Sequence, residues 1–532
     1  MNVNLSNAIR LVNSQQFTKA VIEIKTLLKE HPHNYDLNKL MGMSLMAQRK
    51  YNSAINFFQI CYDQNQNDFE VLLNLSFIFL KVQFYEYSID FANRALKIKP
   101  EEPGSYQNLS SCYLFLKKFD LAKKYAENAI NLRGGFDSEH FLKVTDLISL
   151  YADILLAIKD YGAFVDYCLK ILNYNYNSDL MIRLLRHDKS FITSDHLKSV
   201  ESVIKNYNNV TDKISRHNLI SSAHFILAEY YTKSDQKKSE SHYILANGYI
   251  AEMQRQSIFN RQKICRAIIK FFKDFNYTEI VNSIAKNKGD GVVFILGMPR
   301  SGTTLTESII STADDVRAGG EKSFFSLQLA NEIKKIVSGD TSSINKDFFL
   351  DIGDRYLNHI ELERENKKYF LDKLPENYLF YKFIKIALPG AKFINCYRDP
   401  WDNAISLFKQ NYSINIYYAS SFFGIATEYA NYKNIIQFWK MIDGEDFALD
   451  LKYEDVVLNT ELAAKKIWDH CQLDGVYSEQ KRKGHFGYTA SMQQVTQNIY
   501  SSSIKKEEFL SQKDEFLGYL KDQEDYWANS SR

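Results

Sequence analysis

The chain has 532 residues, 45% of them apolar and 24% charged, and its 66 Lys and Arg nearly balance 64 Asp and Glu, leaving a formal net charge of +2. That length suits two or three domains, each with a core of its own. The charge balance excludes a general nucleic-acid surface, so any phosphate binding must be local.

Only 7 Pro and 21 Gly occur in the whole chain, which predicts long stretches of packed helices in the first half. Phe17, Tyr51, Tyr85 and Phe119 recur at a 34-residue step. So do Ala20, Ala54, Ser88 and Ala122, and so do Ile24, Phe58, Ala92 and Ala126. In the preceding helix Gly42, Ser76 and Ser110 keep the same step, each followed by Leu45, Phe79 and Tyr113. Ordinary helical periodicity gives spacings of 3 and 4, not 34 at several independent positions. Pro32 and Pro100 lie two periods apart where a unit should end, and Gln66 falls between them. Small residues where helices touch, with aromatics beside them, are what a stacked helix pair needs. The period resembles that of tetratricopeptide (TPR) repeats, which implies a helical solenoid over residues 1–136.

Past Arg133-Gly134-Gly135 the period fades while helical patterning continues, so residues 137–288 are expected to form further helical hairpins and a linker. A TPR-like unit is expected at 223–247, where Ser239 and Ala246 repeat the offset of Ala54 and Cys61. One or two linking helices over 251–288 should end in Asn287-Lys288-Gly289-Asp290-Gly291.

From residue 289 onward the pattern changes to strand, loop and helix in alternation, the mark of an α/β sheet with parallel strands. The apolar run ending at Leu296 leads into Gly297-Met298-Pro299-Arg300-Ser301-Gly302-Thr303-Thr304. A strand, a glycine-bounded loop and a helix N-terminus together make a phosphate cradle of backbone N–H groups. The glycine spacing matches GxxxxGK[ST], but Thr303 stands where that pattern has lysine, so a nucleoside triphosphate is a poor fit. Arg300 supplies instead a planar fork suited to phosphate or sulfate oxygens. Two more strands are expected at 391–397 and 447–451. The first ends at Arg398-Asp399-Pro400, with Ser406 two turns into the next helix, and the second leads to Lys452-Tyr453-Glu454.

MPRSGTT resembles the 5′-phosphosulfate loop of sulfotransferases that use 3′-phosphoadenosine 5′-phosphosulfate (PAPS). An arginine followed eight residues later by a serine, here Arg398 and Ser406, resembles their 3′-phosphate motif. Over roughly 290–510 the chain resembles tyrosylprotein sulfotransferases, which implies a P-loop-like α/β domain at 289–532. The resemblance implies that Ser301, Gly302, Thr303 and Thr304 hold the donor together with Arg300, Arg398, Ser406 and Tyr453. It gives Glu321 the role of general base and Lys373 that of a catalytic cation, and adds Ser491 and Lys506 late in the chain as donor contacts. One departure is Gln410, where the family has a nucleotide-binding arginine. Trp401 is the aromatic residue expected on the adenine side.

In such a reaction an acceptor hydroxyl attacks sulfur in line while the 5′-phosphate leaves. Glu321 would take the proton, aided by burial against Phe324 and Phe325, and Arg300 and Lys373 would stabilise the charge on the transferring group. The expected acceptor is a peptide, a glycan or a small molecule, with the repeats offering a groove to it or to a protein partner. No metal is implied, and the 11 histidines show no metal-binding spacing. Two other readings stand: a TPR scaffold whose α/β domain binds nucleotide without catalysis, and a P-loop kinase of small molecules. The six cysteines form no CxxC pair, no run of 18 apolar residues occurs, and the N-terminus lacks a basic region followed by an apolar core. A soluble cytoplasmic protein, with neither nucleic acid nor membrane as partner, is the expectation.

Overall fold

A computed structural model describes residues 5–412, 414–484 and 508–530. Ser491 and Lys506 lie outside the described residues. The chain separates into two compact units, 1–167 and 168–532. The sequence pattern puts divisions at 136 and 288; by packing, one division falls inside the helix Tyr161–Tyr174.

The first unit is all helical, and its regularity comes from a few side chains repeated in register. Phe17, Tyr51, Tyr85 and Phe119 each open a helix: Phe17–Glu30, Tyr51–Gln64, Tyr85–Ile98 and Phe119–Asn131. Two residues before each of them the backbone turns left-handed, at Gln15, Arg49, Gln83 and Lys117, so the turn repeats at 34 residues too. The partner helices Tyr35–Ala47, Phe69–Lys81 and Pro103–Phe115 are capped by Asn34, Asp68 and Glu102, again 34 apart, each side chain accepting a hydrogen bond from an N–H of the first turn. Ala20, Ala54, Ser88 and Ala122 have no exposed surface, nor have Ile24, Phe58, Ala92 and Ala126. Where the small residue is serine, its hydroxyl crosses the helix pair: Ser88 Oγ donates to Ser76 O and Ser110 Oγ to Ala122 O, both at 2.7 Å. The helices can approach that closely only because no larger side chain intervenes.

The second unit joins a helical segment to a five-stranded sheet. Its strands are β1 (Val292–Gly297), β2 (Val316–Ala318), β3 (Tyr369–Asp372), β4 (Lys392–Tyr397) and β5 (Leu449–Lys452). They lie in the order β2-β3-β1-β4-β5, every neighbouring pair parallel. β1 is central and wholly buried, as its unbroken apolar run requires. The expected strand at 447–451 is seen two residues later, and β2 and β3 are additions to the three strands read from the sequence.

The helical segment packs on the sheet domain rather than standing apart from it. Helix Lys213–Tyr231 pairs with the 39-residue helix Gln236–Asp274, and Ser239 Oγ donates to Ala228 O at 2.8 Å, the contact that Ser88 makes in the first unit. Arg261 on the long helix donates to Glu428 Oε1 through Nε and to Glu376 Oε1 through Nη2, both at 3.0 Å. Asn247 Nδ2 donates to Phe408 O at 2.8 Å. No helix among the described residues is long and apolar enough to cross a membrane.

Gly42 tests the close approach within the repeats. A Cβ built there would lie 2.8 Å from Cε2 of the fully buried Phe58. Overpacking of this kind costs about 1–3 kcal/mol, more than the few tenths that valine gains over glycine in helix propensity. Gly42→Val should therefore lower the melting temperature of the first unit by several degrees, and adding Phe58→Leu should recover part of the loss. An unchanged melting temperature would show that the helix contact does not depend on the missing side chain.

Candidate active site

Because all five strands are parallel, their carboxyl ends share one edge of the sheet, and each delivers one of the residues singled out in the sequence. β1 runs into the loop of Arg300 to Thr304, and β2 is followed by Gly319, Gly320 and Glu321. β3 ends next to Lys373, β4 next to Arg398 and β5 next to Tyr453.

The loop after β1 adopts two left-handed residues, Arg300 at φ 68° and Gly302 at φ 100°. Gly302 caps the helix Thr303–Ile310, and a Cβ there would strike Tyr453 Cδ2 at 2.6 Å. Gly297 is equally constrained, since its Cβ would lie 2.3 Å from Cys396 O on β4. A non-glycine residue such as Arg300 held at positive φ is strained, and such strain collects at functional loops. Ser301 is buried, and its Oγ has no hydrogen-bond partner among the described residues. A buried hydroxyl with that unmet need, beside a helix N-terminus, suits an anionic oxygen.

Arg300 Nε donates to Ser406 Oγ at 3.1 Å, so the β1 loop and the helix Pro400–Phe408 are joined by the two residues expected at opposite ends of the donor. Arg398 Nη1 donates to Arg300 O at 3.3 Å, and its guanidinium stands 4.3 Å from the centre of the Tyr453 ring. Asp399 caps the helix, its Oδ1 accepting from the N–H groups of Trp401 and Asp402. Burial holds the Arg300 guanidinium below its ordinary pKa. Gln410, neutral, lies just past the helix end, its N–H donating to Leu407 O at 3.0 Å.

On the other side of the loop, Lys373 Nζ is completely buried. It lies 2.6 Å from Glu321 Oε1 and 3.9 Å from Glu307 Oε2. Lys373 N donates to Gly320 O at 2.8 Å, which ties the ends of β2 and β3 together. The surroundings of Glu321 differ from the expected apolar pocket: its side chain is 44% exposed and paired with Lys373. Phe324 and Phe325 instead pack on Tyr356 in the core, because they begin the helix Phe324–Ser338 that turns its apolar face to the sheet. Trp401 likewise is buried against Phe422 and Phe516 rather than open to a base.

Residues 292–479 match the sequence model of the Sulfotransferase family. An uncharacterized protein of Aquifex aeolicus (strain VF5) is 30% identical over 232 residues, 40% of this chain and 30% of that protein, so the chain spans less than a third of the curated relative it matches. Among solved structures the chain is similar to sulfotransferase STF9 from Mycobacterium avium, with 13% identity, TM-score 0.24, and 55% of this chain and 86% of that one covered. It is also similar to sulfotransferase STF1 from Mycobacterium tuberculosis H37Rv, with 11% identity, TM-score 0.24, and 55% and 92% covered.

Several side chains that hold the loops of this site together carried no sequence signal. Glu454 accepts from Asp399 N at 3.0 Å, Asn403 Nδ2 donates to Pro299 O at 3.0 Å, and Tyr429 OH donates to Arg398 O at 2.8 Å. Glu307, buried one helical turn inside the β1 loop, is a second carboxylate facing Lys373. The spacing of Glu307 from Gly302 could have suggested it, since the first turns of that helix point at the sheet edge.

Asp372, next to Lys373, is wholly buried, with Tyr356 OH donating to Oδ2 at 2.9 Å. Burial pushes its carboxyl up to about 7, and the Tyr356 hydrogen bond opposes that only in part. Its folded pKa thus lies above the ordinary value of about 3.9, so the folded state holds the proton more tightly. The stability this contributes is full below about pH 4 and is lost as pH rises through 7. The melting temperature of the native protein should therefore fall relative to that of Asp372→Asn between pH 5 and 8, measured by circular dichroism. Parallel curves would mean that Asp372 titrates as an ordinary carboxylate.

Proposed function

We propose that the C-terminal unit transfers the sulfuryl group of PAPS to an acceptor hydroxyl. The observation that carries this reading is the convergence, at one sheet edge, of an anion loop, an arginine–serine pair and a lysine–carboxylate pair. The loop of Ser301 to Thr304 with Arg300 would hold the 5′-phosphosulfate, and the orphaned hydroxyl of Ser301 supports that fit. Arg398 and Ser406, linked through Arg300, would hold the 3′-phosphate, and Tyr453 would line the donor beside them. Ser491 and Lys506 are proposed donor contacts on the resemblance alone.

Glu321 is the proposed base. Its exposure gives an acceptor access, and Lys373 fixes its position at 2.6 Å. The same buried ammonium lies where charge would build on the sulfuryl oxygens and the leaving phosphate, an interaction that strengthens in the transition state. The TPR-like repeats are proposed to select the acceptor or bind a partner, as solenoid faces commonly do.

Donor and base are tested together. Arg398→Ala should weaken PAPS by about 10- to 100-fold, the loss expected for a charged hydrogen-bond partner, while binding of adenosine 5′-phosphosulfate stays nearly unchanged. Glu321→Gln should lower turnover by about two to four orders of magnitude with PAPS affinity retained. Equal loss of both ligands, or near-native turnover of the glutamine variant, would overturn the respective assignment.

The repeats are tested by removing residues 1–136, a cut just after the Gly134-Gly135 turn. The shortened protein, shown to be folded by circular dichroism, should still bind adenosine 3′,5′-bisphosphate and slowly sulfate a small phenol. Its KM for the native acceptor should rise; an unchanged KM would remove the repeats from acceptor selection.

A further inference from the structure

Beside the proposed donor site stands a cation that the reaction as written does not use. Arg186 lies in the last turn of the helix Ser178–His187, in the helical segment that precedes the sheet and outside residues 292–479. Its Nε and Nη2 both donate to Glu229 Oε1, at 3.1 and 2.8 Å. The pairing is one-sided: Nη1 makes no hydrogen bond among the described residues, and the side chain remains 28% exposed.

The place to which Arg186 is directed follows from helix geometry. Glu229 and Ser222 are two turns apart on one face of the helix Lys213–Tyr231. Ser222 Oγ accepts from Asn411 Nδ2 at 3.3 Å, just beyond the end of the helix that carries Ser406. Asn247 on the adjoining long helix holds Phe408 O at that same end. The face that presents Arg186 is thus the face on which the end of the Ser406 helix rests.

Charge effects agree with this placement. Burial is the main cause of the lowered pKa of Arg300, and the positive charges of Arg186 and Arg398 add to it, with Tyr412 opposing. Burial likewise pushes the Tyr412 hydroxyl up to about 12, with the charge of Glu321 adding to the shift and those of Arg300 and Arg186 opposing it. Arg186 and Arg398 therefore both lie within electrostatic reach of Arg300. Like charges so gathered repel, and a polyanion bound among them relieves that repulsion.

We propose that Arg186 is a third anion-binding arginine of the donor site, contributed by the helical segment and aimed by Glu229 at the 3′-phosphate end. The assignment rests on the PAPS reading above. The 3′-phosphate end is favoured over the acceptor side because the element seated against the Arg186 face is the Ser406 helix. Just past its end Lys409 is paired with Glu508 at 2.9 Å and Gln410 is neutral, so an added charge there comes from another part of the chain.

The test uses the full chain, with calorimetric binding of adenosine 3′,5′-bisphosphate and of adenosine 5′-monophosphate, which lacks the 3′-phosphate. Arg186→Gln should weaken the bisphosphate about 10- to 100-fold and the monophosphate by less than about 3-fold. Arg186→Lys, which keeps the charge and loses the fork, should fall between. Placing an arginine just past the end of the Ser406 helix instead, as Arg186→Gln with Gln410→Arg, should restore much of the bisphosphate affinity. If Arg186→Gln does not fold, Glu229→Gln, which frees the guanidinium without removing it, should still weaken the bisphosphate selectively. Unchanged bisphosphate affinity in a folded Arg186→Gln, with or without a raised acceptor KM, would overturn the assignment. So would an equal loss of both nucleotides. Failure of the native protein to bind the bisphosphate is a different result, since it would overturn the PAPS reading itself.

Discussion

Five parallel strands have five carboxyl ends, and a parallel sheet sets all of them along one edge, so a residue placed just after each strand comes to the same edge as the other four without any long-range design. In this chain the residues so placed are a loop arginine, a glutamate, a lysine, a second arginine and a tyrosine, at positions 300, 321, 373, 398 and 453. Register decides how well they meet. Gly297 pairs with Cys396 and Tyr397 with Lys452, which brings the ends of β1, β4 and β5 to nearly one level. Ala318 pairs with Leu371, leaving Gly319 and Gly320 to carry the chain past β3 until Glu321 reaches Lys373. A shift of one residue in any of these three pairs would turn the following side chain to the other face of the sheet.

The cost of gathering these groups is borne by the backbone and by burial. Arg300 sits in a conformation that disfavours a side chain, and Gly297 and Gly302 occupy places where a Cβ would collide with β4 and with Tyr453. The ammonium of Lys373 has no exposed surface, and an isolated charge so placed would be costly; Glu321 and Glu307 supply the opposite charge. Tyr429, Asn403 and Glu454 each bind a backbone group of the loops rather than facing a ligand. They restrict the loops to one arrangement, which is what positioned group transfer requires.

Features that depend on local chemistry were legible in the sequence. The 34-residue step could be read because every repeat solves the same packing problem with a residue of similar size, as Ala20, Ala54, Ser88 and Ala122 do. The β1 loop and the Arg398–Ser406 interval could be read because each is contained in one turn between neighbouring elements. What escaped notice was short or non-local. β2 has three residues and β3 four, too few for a period-2 pattern, and both owe their form to pairing with strands distant in sequence. The packing of helices 168–288 onto the sheet rests on contacts such as Arg261 with Glu428, 167 residues apart, for which composition offers no sign. The sequence neighbours of Glu321 and Trp401 suggest an apolar pocket and an open ring, but tertiary packing turns Phe324, Phe325 and Trp401 itself into the core.

The contacts of the long helix Gln236–Asp274 explain why the site needs more chain than its strands and loops. Glu376 follows Lys373-Leu374-Pro375, the turn that leaves β3, and its carboxylate is held by Arg261 from outside the sheet domain. The same guanidinium holds Glu428, which also accepts from Tyr378 OH at 2.6 Å and from Asn431. One half-buried arginine thus fixes the turn after Lys373 to the helix Phe422–Asp443, whose Tyr429 holds the carbonyl of Arg398. Lys373 and Arg398 stand on strands separated by β1, and this relay of side chains outside the sheet gives their loops a common support. Parallel strands bring the groups to the same edge, but they do not fix the loops that follow them; here the helical segment does so, and it is therefore part of the machinery of the site.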